Sequence, residues 1–168
     1  MIDFHVHENL PLTYTEACAV AKAKGTIPCT DLAEPLKTSL KNTAEKVFSR
    51  VTLGKNAKMR LMGIFVYSAG QQKKEHARES LGMTIPFGKR EDKAVIGLSA
   101  ELLQTTRPIF WRYLLCHELA HCLTGHSGHD EEFTLWLNSV CFAYFGVKDF
   151  REDGADVHHK TDLTNWRY

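Results

Sequence analysis

Residues 96–133 read IGLSAELLQTTRPIFWRYLLCHELAHCLTGHSGHDEEF. An apolar run of strand length passes into a helical pattern that starts near Thr106, with Pro108 in the first turn. The pattern continues through Trp111, Leu114, Leu115 and His121 to Gly125. Proline costs nothing in a first turn, whose N–H groups have no intrahelical partner, and glycine suits a helix end. Asp130 then offers an N-cap, with Glu131 and Glu132 near the positive end of the next helix dipole. That second helix carries Phe133, Trp136, Leu137, Val140, Cys141 and Tyr144, and stops near Gly146. A strand followed by two helices joined through a short histidine-rich turn is the centre of the expected fold.

His117-Glu118-Leu119-Ala120-His121 falls late in the first of these helices. Residues four apart on a helix share a face one turn apart, so two imidazoles can aim at one cation. That is half of a tetrahedral zinc site. Glu118 projects into the same space without having to bind. Zinc lowers the pKa of bound water to about 7, and a neighbouring carboxylate can take a proton from that water and return it to a leaving amine. A catalytic zinc also needs a third protein ligand. His126 follows Gly125 directly, where the turn carries it away from the metal. His129 precedes the N-cap of the next helix, where packing of Phe133 and Trp136 can fix it. The expected set is His117, His121 and His129 on one catalytic zinc ion, with His126 the alternative third ligand and Glu118 the general base and acid. Asp130 is accounted for as a cap.

Working outward, Thr13 with Glu16 spells a capping box, Ala17, Cys18 and Ala21 share a face, and Gly25 marks a helix end. A second helix over about residues 35–51 places Leu36, Leu40, Val47 and Val51 near one face. Its other side carries Lys37, Lys41, Lys46 and Arg50, and Lys55, Lys58 and Arg60 extend a basic segment over residues 37–60. A solvated helix face accounts for it; contact with nucleic acid or an acidic partner is the alternative, and nucleic acid is not expected. Residues 61–67 (LMGIFVY) and 94–99 (AVIGLS) read as buried strands, and 83–87 as a third, with a polar stretch over 71–79. Helices, a small sheet, then helices make an α+β fold. One domain over residues 1–168 is expected, with a core at about 60–147, an N-terminal helical region at about 1–55 and a polar tail at about 148–168.

With 168 residues, 43% hydrophobic and 24% charged, the chain suits a single globular domain. A net charge of +1 offers no global attraction to nucleic acid or membrane. Five cysteines without a CxxC pair exclude a sequence-evident zinc ribbon, and their odd number favours free thiols. Neither a leader pattern nor an apolar run of about 20 residues is present, so a cytoplasmic protein without membrane contact is expected.

Residues 96–133 resemble the core of the SprT-like, WLM and YgjP-like metallopeptidases. Ile96, Leu98 and Ser99, then Leu102 and Leu103, match their strand-to-helix lead-in. His117, Glu118 and His121 match the catalytic helix, and His129, Asp130 and Phe133 match the element that carries the third ligand. Leu81-Gly82-Met83-Thr84 is similar to the strand region ahead of the lead-in. The resemblance implies a minimal zincin-like domain of gluzincin type: a small antiparallel sheet packed on the HExxH helix with additional helices, and zinc under a sheet edge. It implies a polypeptide substrate. The strand over 94–99 would then receive an extended peptide along the backbone of Ile96, Gly97 and Leu98. Two features depart from the pattern. The gap from His121 to His129 is longer, and no Cys-rich zinc ribbon follows, so a DNA-repair role is not implied.

Weaker signals carry less. Asp3-Phe4-His5-Val6-His7 resembles the first strand of amidohydrolase and PHP-type barrels, but such barrels need more than about 200 residues and further ligands. The histidine spacing after His117 loosely resembles rRNA-maturation nucleases of the YbeY type, against which Glu118 argues. His158 and His159 read as surface residues, Cys116 and Cys122 as small core residues, and Tyr113, Tyr144 and Arg151 as core or surface rather than oxyanion stabilisers. The expected function is that of a zinc-dependent metallopeptidase. The alternatives are a metal-dependent nuclease or other hydrolase using the same histidines, or a non-catalytic zinc-binding interaction domain.

Overall fold

A computed structural model describes residues 10–50, 57–105 and 108–145. The helices are α1 (Tyr14–Ala23), α2 (Glu34–Arg50), α3 (Glu75–Glu79), α4 (Ala100–Thr105), α5 (Pro108–Thr124) and α6 (Glu131–Phe145), and the strands are β1 (Arg60–Tyr67), β2 (Gly82–Phe87) and β3 (Lys93–Ser99). A 3-10 turn covers Ala69–Gln71. The fold is α+β, as expected. Among the described residues no helix is long and apolar enough to cross a membrane.

The sheet runs in the order β1-β3-β2, with β1 parallel and β2 antiparallel to β3. This corrects the expected antiparallel sheet: α3 and β2 form the crossover that returns the chain alongside β1 in the same direction. It also corrects the docking strand. Ile96, Gly97 and Leu98 lie in the central strand, where each pairs with β1 on one side and β2 on the other. Their backbone is committed to the sheet, and strand addition needs an edge. The continuous apolar run of β3 reflects burial on both faces. Gly97 is required there, because a Cβ would lie 2.5 Å from Phe65 Cζ.

The two edges differ. Along β1, Leu12 N–H donates to the Met62 carbonyl at 2.9 Å and Cys29 N–H to the Val66 carbonyl at 2.8 Å, so the N-terminal segments cover that side. The edge of β2 has no strand partner among the described residues. Pro86, which has no N–H, fits an edge position.

Each sheet face has its own core. On one, Phe65, Tyr67, Ile85 and Val95 pack with Ala17, Cys18 and Ala21 of α1. The capping box of α1 has both its bonds, Thr13 N–H to Glu16 Oε2 at 2.7 Å and Glu16 N–H to Thr13 Oγ1 at 3.2 Å, and Gly25 takes φ +88° at its end. On the other face, Ile64, Val66, Ile96 and Leu98 meet Leu114, Leu115 and Leu119 of α5. This helix is buried through nearly all of its last three turns, and a helix apolar on every side belongs in a core. Tyr113, Tyr144, Cys116 and Cys122 are core residues, as expected. On α2, Leu40 and Ala44 are buried while Leu36 is 38% exposed, one turn beyond the packed face. The expectations for Thr106, Lys55, Val51, Gly146, Arg151, His158, His159 and the His5/His7 pair lie outside the described residues.

Candidate metal centre

The end of α5 and the start of α6 build the site. Gly125 closes α5 at φ +77°, and its N–H donates to the His121 carbonyl at 2.8 Å. A side chain there would be strained twice, since a Cβ would also lie 2.8 Å from Lys58 Cβ. After the turn, Asp130 caps α6 by accepting from Phe133 N–H at 2.9 Å. The capped helix returns beside α5 and delivers His129 to the histidine pair.

His129 Nε2 lies 3.1 Å from His117 Nε2 and 3.2 Å from His121 Nε2. These three residues form a group able to hold a metal ion. The donor set tests the fit. His129 Nε2 carries one hydrogen or one lone pair, which serves one neighbouring ring and not two. A cation between the rings serves all three. Metal–nitrogen bonds of about 2.0–2.1 Å in a tetrahedron put neighbouring nitrogens roughly 3.3 Å apart, close to what is found. His121 Nδ1 sits 2.9 Å from the His126 carbonyl, so it bears the hydrogen and leaves Nε2 as a donor atom. Phe133 backs the group, with its ring centroid 4.9, 4.5 and 4.7 Å from those of His117, His121 and His129.

The structure therefore brings His117, His121 and His129 together and does not bring in the His126 side chain. That ring turns the other way: its Nδ1 accepts from Gly128 N–H at 3.1 Å, and its Nε2 lies 3.4 Å from Asp130 Oδ2. His126 contributes its carbonyl instead. His117 and His121 are buried and His129 is exposed, so the group opens to solvent on one side.

Glu118 is fully buried at the back of this opening. The Thr84 hydroxyl lies 2.7 Å from Glu118 Oε2 and 3.0 Å from the Glu118 carbonyl. Gly82 leaves the space the carboxylate occupies, since a Cβ there would lie 2.8 Å from Oε1. Neither residue was singled out as a site residue by sequence. The available signal was Pro86, which marks this strand as an edge.

A cavity of about 550 Å³ follows the β2 edge. Glu118, His121 and His129 line it, as do Lys24, Lys73, Lys74 and Glu91, of which Lys24 and Glu91 pair at 3.8 Å. Elsewhere, Cys116 and Cys122 have thiols pushed far up by burial, which suits inert core residues. On the basic helix, Lys37 pairs with Glu34 at 2.8 Å and Lys41 with Glu45 at 3.9 Å, so part of that charge is already balanced.

The sequence model of the SprT-like family matches residues 36–153, more than two thirds of the chain and all of the metal-site group. Among curated proteins and among solved structures, none matches significantly.

Proposed function

We propose that this chain, which belongs to the SprT-like family, is a zinc-dependent peptidase in which His117, His121 and His129 hold the metal and Glu118 moves the protons. The observation that carries the reading is the convergence of three imidazole Nε2 atoms, with a buried carboxylate on the same helix opening onto the same cavity. The bound ion would supply Lewis acidity and a water activated at neutral pH.

The rest falls to the chain's own groups. Glu118 accepts a proton as the nucleophile forms and gives it to the departing amine. Burial keeps its carboxylate from competing hydrogen bonds to bulk water. The substrate backbone is held along β2, which takes over the role first assigned to β3. Ser99 N–H donates to the Leu81 carbonyl, and Pro86 has no N–H to give. Both fix the alternation of the antiparallel ladder, so the backbone groups of Gly82, Thr84 and Pro86 turn away from β3. The Gly82 carbonyl is occupied by the Ser80 hydroxyl, which leaves the N–H and carbonyl of Thr84 to meet an extended peptide directly beside Glu118. Backbone pairing of this kind tolerates many sequences.

The test is cleavage of an unstructured polypeptide by zinc-loaded protein, with RNA as a parallel substrate. Polypeptide cleavage that stops with chelator and in Glu118→Gln, while that variant keeps its zinc, supports the proposal. Cleavage of RNA alone would refute it, as would full activity in Glu118→Gln.

A further inference from the structure

We propose that Thr84 is a positioning residue whose hydroxyl holds the Glu118 carboxylate in its working place, within a slot that Gly82 keeps open. The inference rests on Glu118 being the proton carrier.

A glutamate side chain has three rotatable bonds, so the place of its far end depends on what it touches. The neighbouring strand supplies one such contact. The Thr84 hydroxyl has one hydrogen, and of its two acceptors the Glu118 carboxyl oxygen at 2.7 Å is the nearer. The same hydroxyl lies 3.0 Å from the Glu118 backbone carbonyl, so Thr84 is seated over both ends of this residue. On the other side of the carboxylate, the missing Cβ of Gly82 would lie 2.8 Å from Oε1 and 2.9 Å from Leu114 Cδ2. One oxygen is held by a donor and the other occupies space that no other residue type would leave.

Strand β2 is itself held in register at this point. Tyr67 donates its hydroxyl hydrogen to the Ser80 carbonyl at 3.0 Å, and the Ser80 hydroxyl donates to the Gly82 carbonyl. Ser99 N–H closes on the Leu81 carbonyl at 2.9 Å. The position of Thr84 thus comes from the sheet, while Glu118 comes from the helix. The hydroxyl is the tie between the strand that receives substrate and the group that moves protons. A misplacement of about 1 Å in such a group costs on the order of a hundredfold in rate.

The experiment compares Thr84→Val and Thr84→Ser as zinc-loaded full-length proteins. Valine suits a strand and puts a methyl group in place of the hydroxyl, while serine keeps the hydroxyl. In Thr84→Val, kcat should fall by about 10- to 100-fold with KM and bound zinc unchanged, and Thr84→Ser should recover most of the loss. In a Glu118→Gln background neither substitution should lower activity further. Crystals should show the Glu118 carboxylate displaced in Thr84→Val and in place in Thr84→Ser. The proposal is overturned by a Thr84→Val enzyme within about threefold of the parent, since positioning effects are far larger. It is equally overturned by a serine variant as slow as the valine one, or by an unmoved carboxylate. If Thr84→Val does not fold, Thr84→Ala takes its place under the same criteria. A parent protein that cleaves no polypeptide would defeat the peptidase reading, and the carboxylate position in crystals would still decide this one.

Discussion

Replacing His129 by alanine should remove most of the thermal stabilisation that zinc confers, whereas replacing His126 should leave it intact. The contrast follows from geometry. His129 Nε2 is within 3.2 Å of both other donor nitrogens, while the His126 ring faces Asp130 and the contact from His126 to His121 is made by a carbonyl that alanine retains. A ligand that binds only the folded state at a free concentration of about 100 Kd adds about 2.7 kcal/mol. For a chain of this size each kcal/mol moves the melting midpoint by about 2–4 °C, which gives a zinc-dependent rise of roughly 5–11 °C. Losing even an outer partner of a metal ligand weakens affinity by about 10–100-fold, so losing a ligand itself should cost at least about 100-fold. At the same free zinc the stabilisation then shrinks to about 0.4 kcal/mol, or roughly 1–2 °C. Differential scanning calorimetry of parent, His129→Ala and His126→Ala, each with buffered zinc and with chelator, reads these increments directly. An increment retained in His129→Ala and lost in His126→Ala would refute the ligand assignment. So would a parent protein whose midpoint ignores zinc.

Other outcomes follow from single contacts. Gly82→Ala forces a Cβ to 2.8 Å from Glu118 Oε1 and 2.9 Å from Leu114 Cδ2, so it should destabilise by about 1–3 kcal/mol and lower kcat, measured by urea unfolding and peptide turnover. Phe133→Ala empties the apolar backing of all three histidine rings; stability should fall by about 3–5 kcal/mol and zinc affinity should drop with it, seen by titration against a chromophoric chelator. Burial acts to raise the Glu101 carboxyl, but its own N–H, those of Ala69 and Gly70 and the Ser68 hydroxyl together hold it below its ordinary 4.5. A depressed folded pKa stabilises above the unfolded value and is lost as pH falls through the folded one, so urea midpoints should decline below about pH 4.5, less steeply in Glu101→Gln. Finally, Lys73 and Lys74 on the cavity walls should give peptides with acidic side chains a lower KM than their lysine counterparts, since Lys24 is already paired with Glu91 at 3.8 Å. That gap should close as salt rises, and a gap indifferent to salt would exclude an electrostatic origin.

Much of the fold was legible because its signals are local. A capping box needs only Thr13 and Glu16, and a helix end needs only Gly25 or Gly125, so the bounds of α1 and the end of α5 follow from a few neighbouring residues. Strand pairing is different, because it depends on partners far apart in sequence. The run AVIGLS was recognised as a buried strand, yet its burial on both faces is also what a central strand requires, and a central strand cannot accept a peptide. The short α3 leaves no mark in the sequence because the polar stretch 71–79 has no apolar period; Arg78 Nε donating to the Gln72 carbonyl at 2.7 Å is one of its contacts with the preceding turn.

The site divides along the same line. His117, Glu118 and His121 are set by one helical turn, and His129 by a cap that the sequence states, so the group could be read as a constellation. Thr84 and Gly82 could not, because their relation to Glu118 runs across 34 and 36 positions and exists only once β2 lies against α5. The consequence is physical. A helix can hold two ligands and a carboxylate in register with one another, but it cannot register them against a substrate that lies on a different element. That registration requires contact between helix and strand, and on the proposal made above the Thr84 hydroxyl and the missing side chain of Gly82 are central to it. Substitutions on β2 should therefore affect turnover while leaving the metal in place, and substitutions at Phe133 or His129 should do the reverse order of damage, releasing metal first. Measuring zinc content and kcat on the same preparations separates the two classes, and a β2 variant that loses its zinc as readily as His129→Ala would show that the strand and the ligands are not independent.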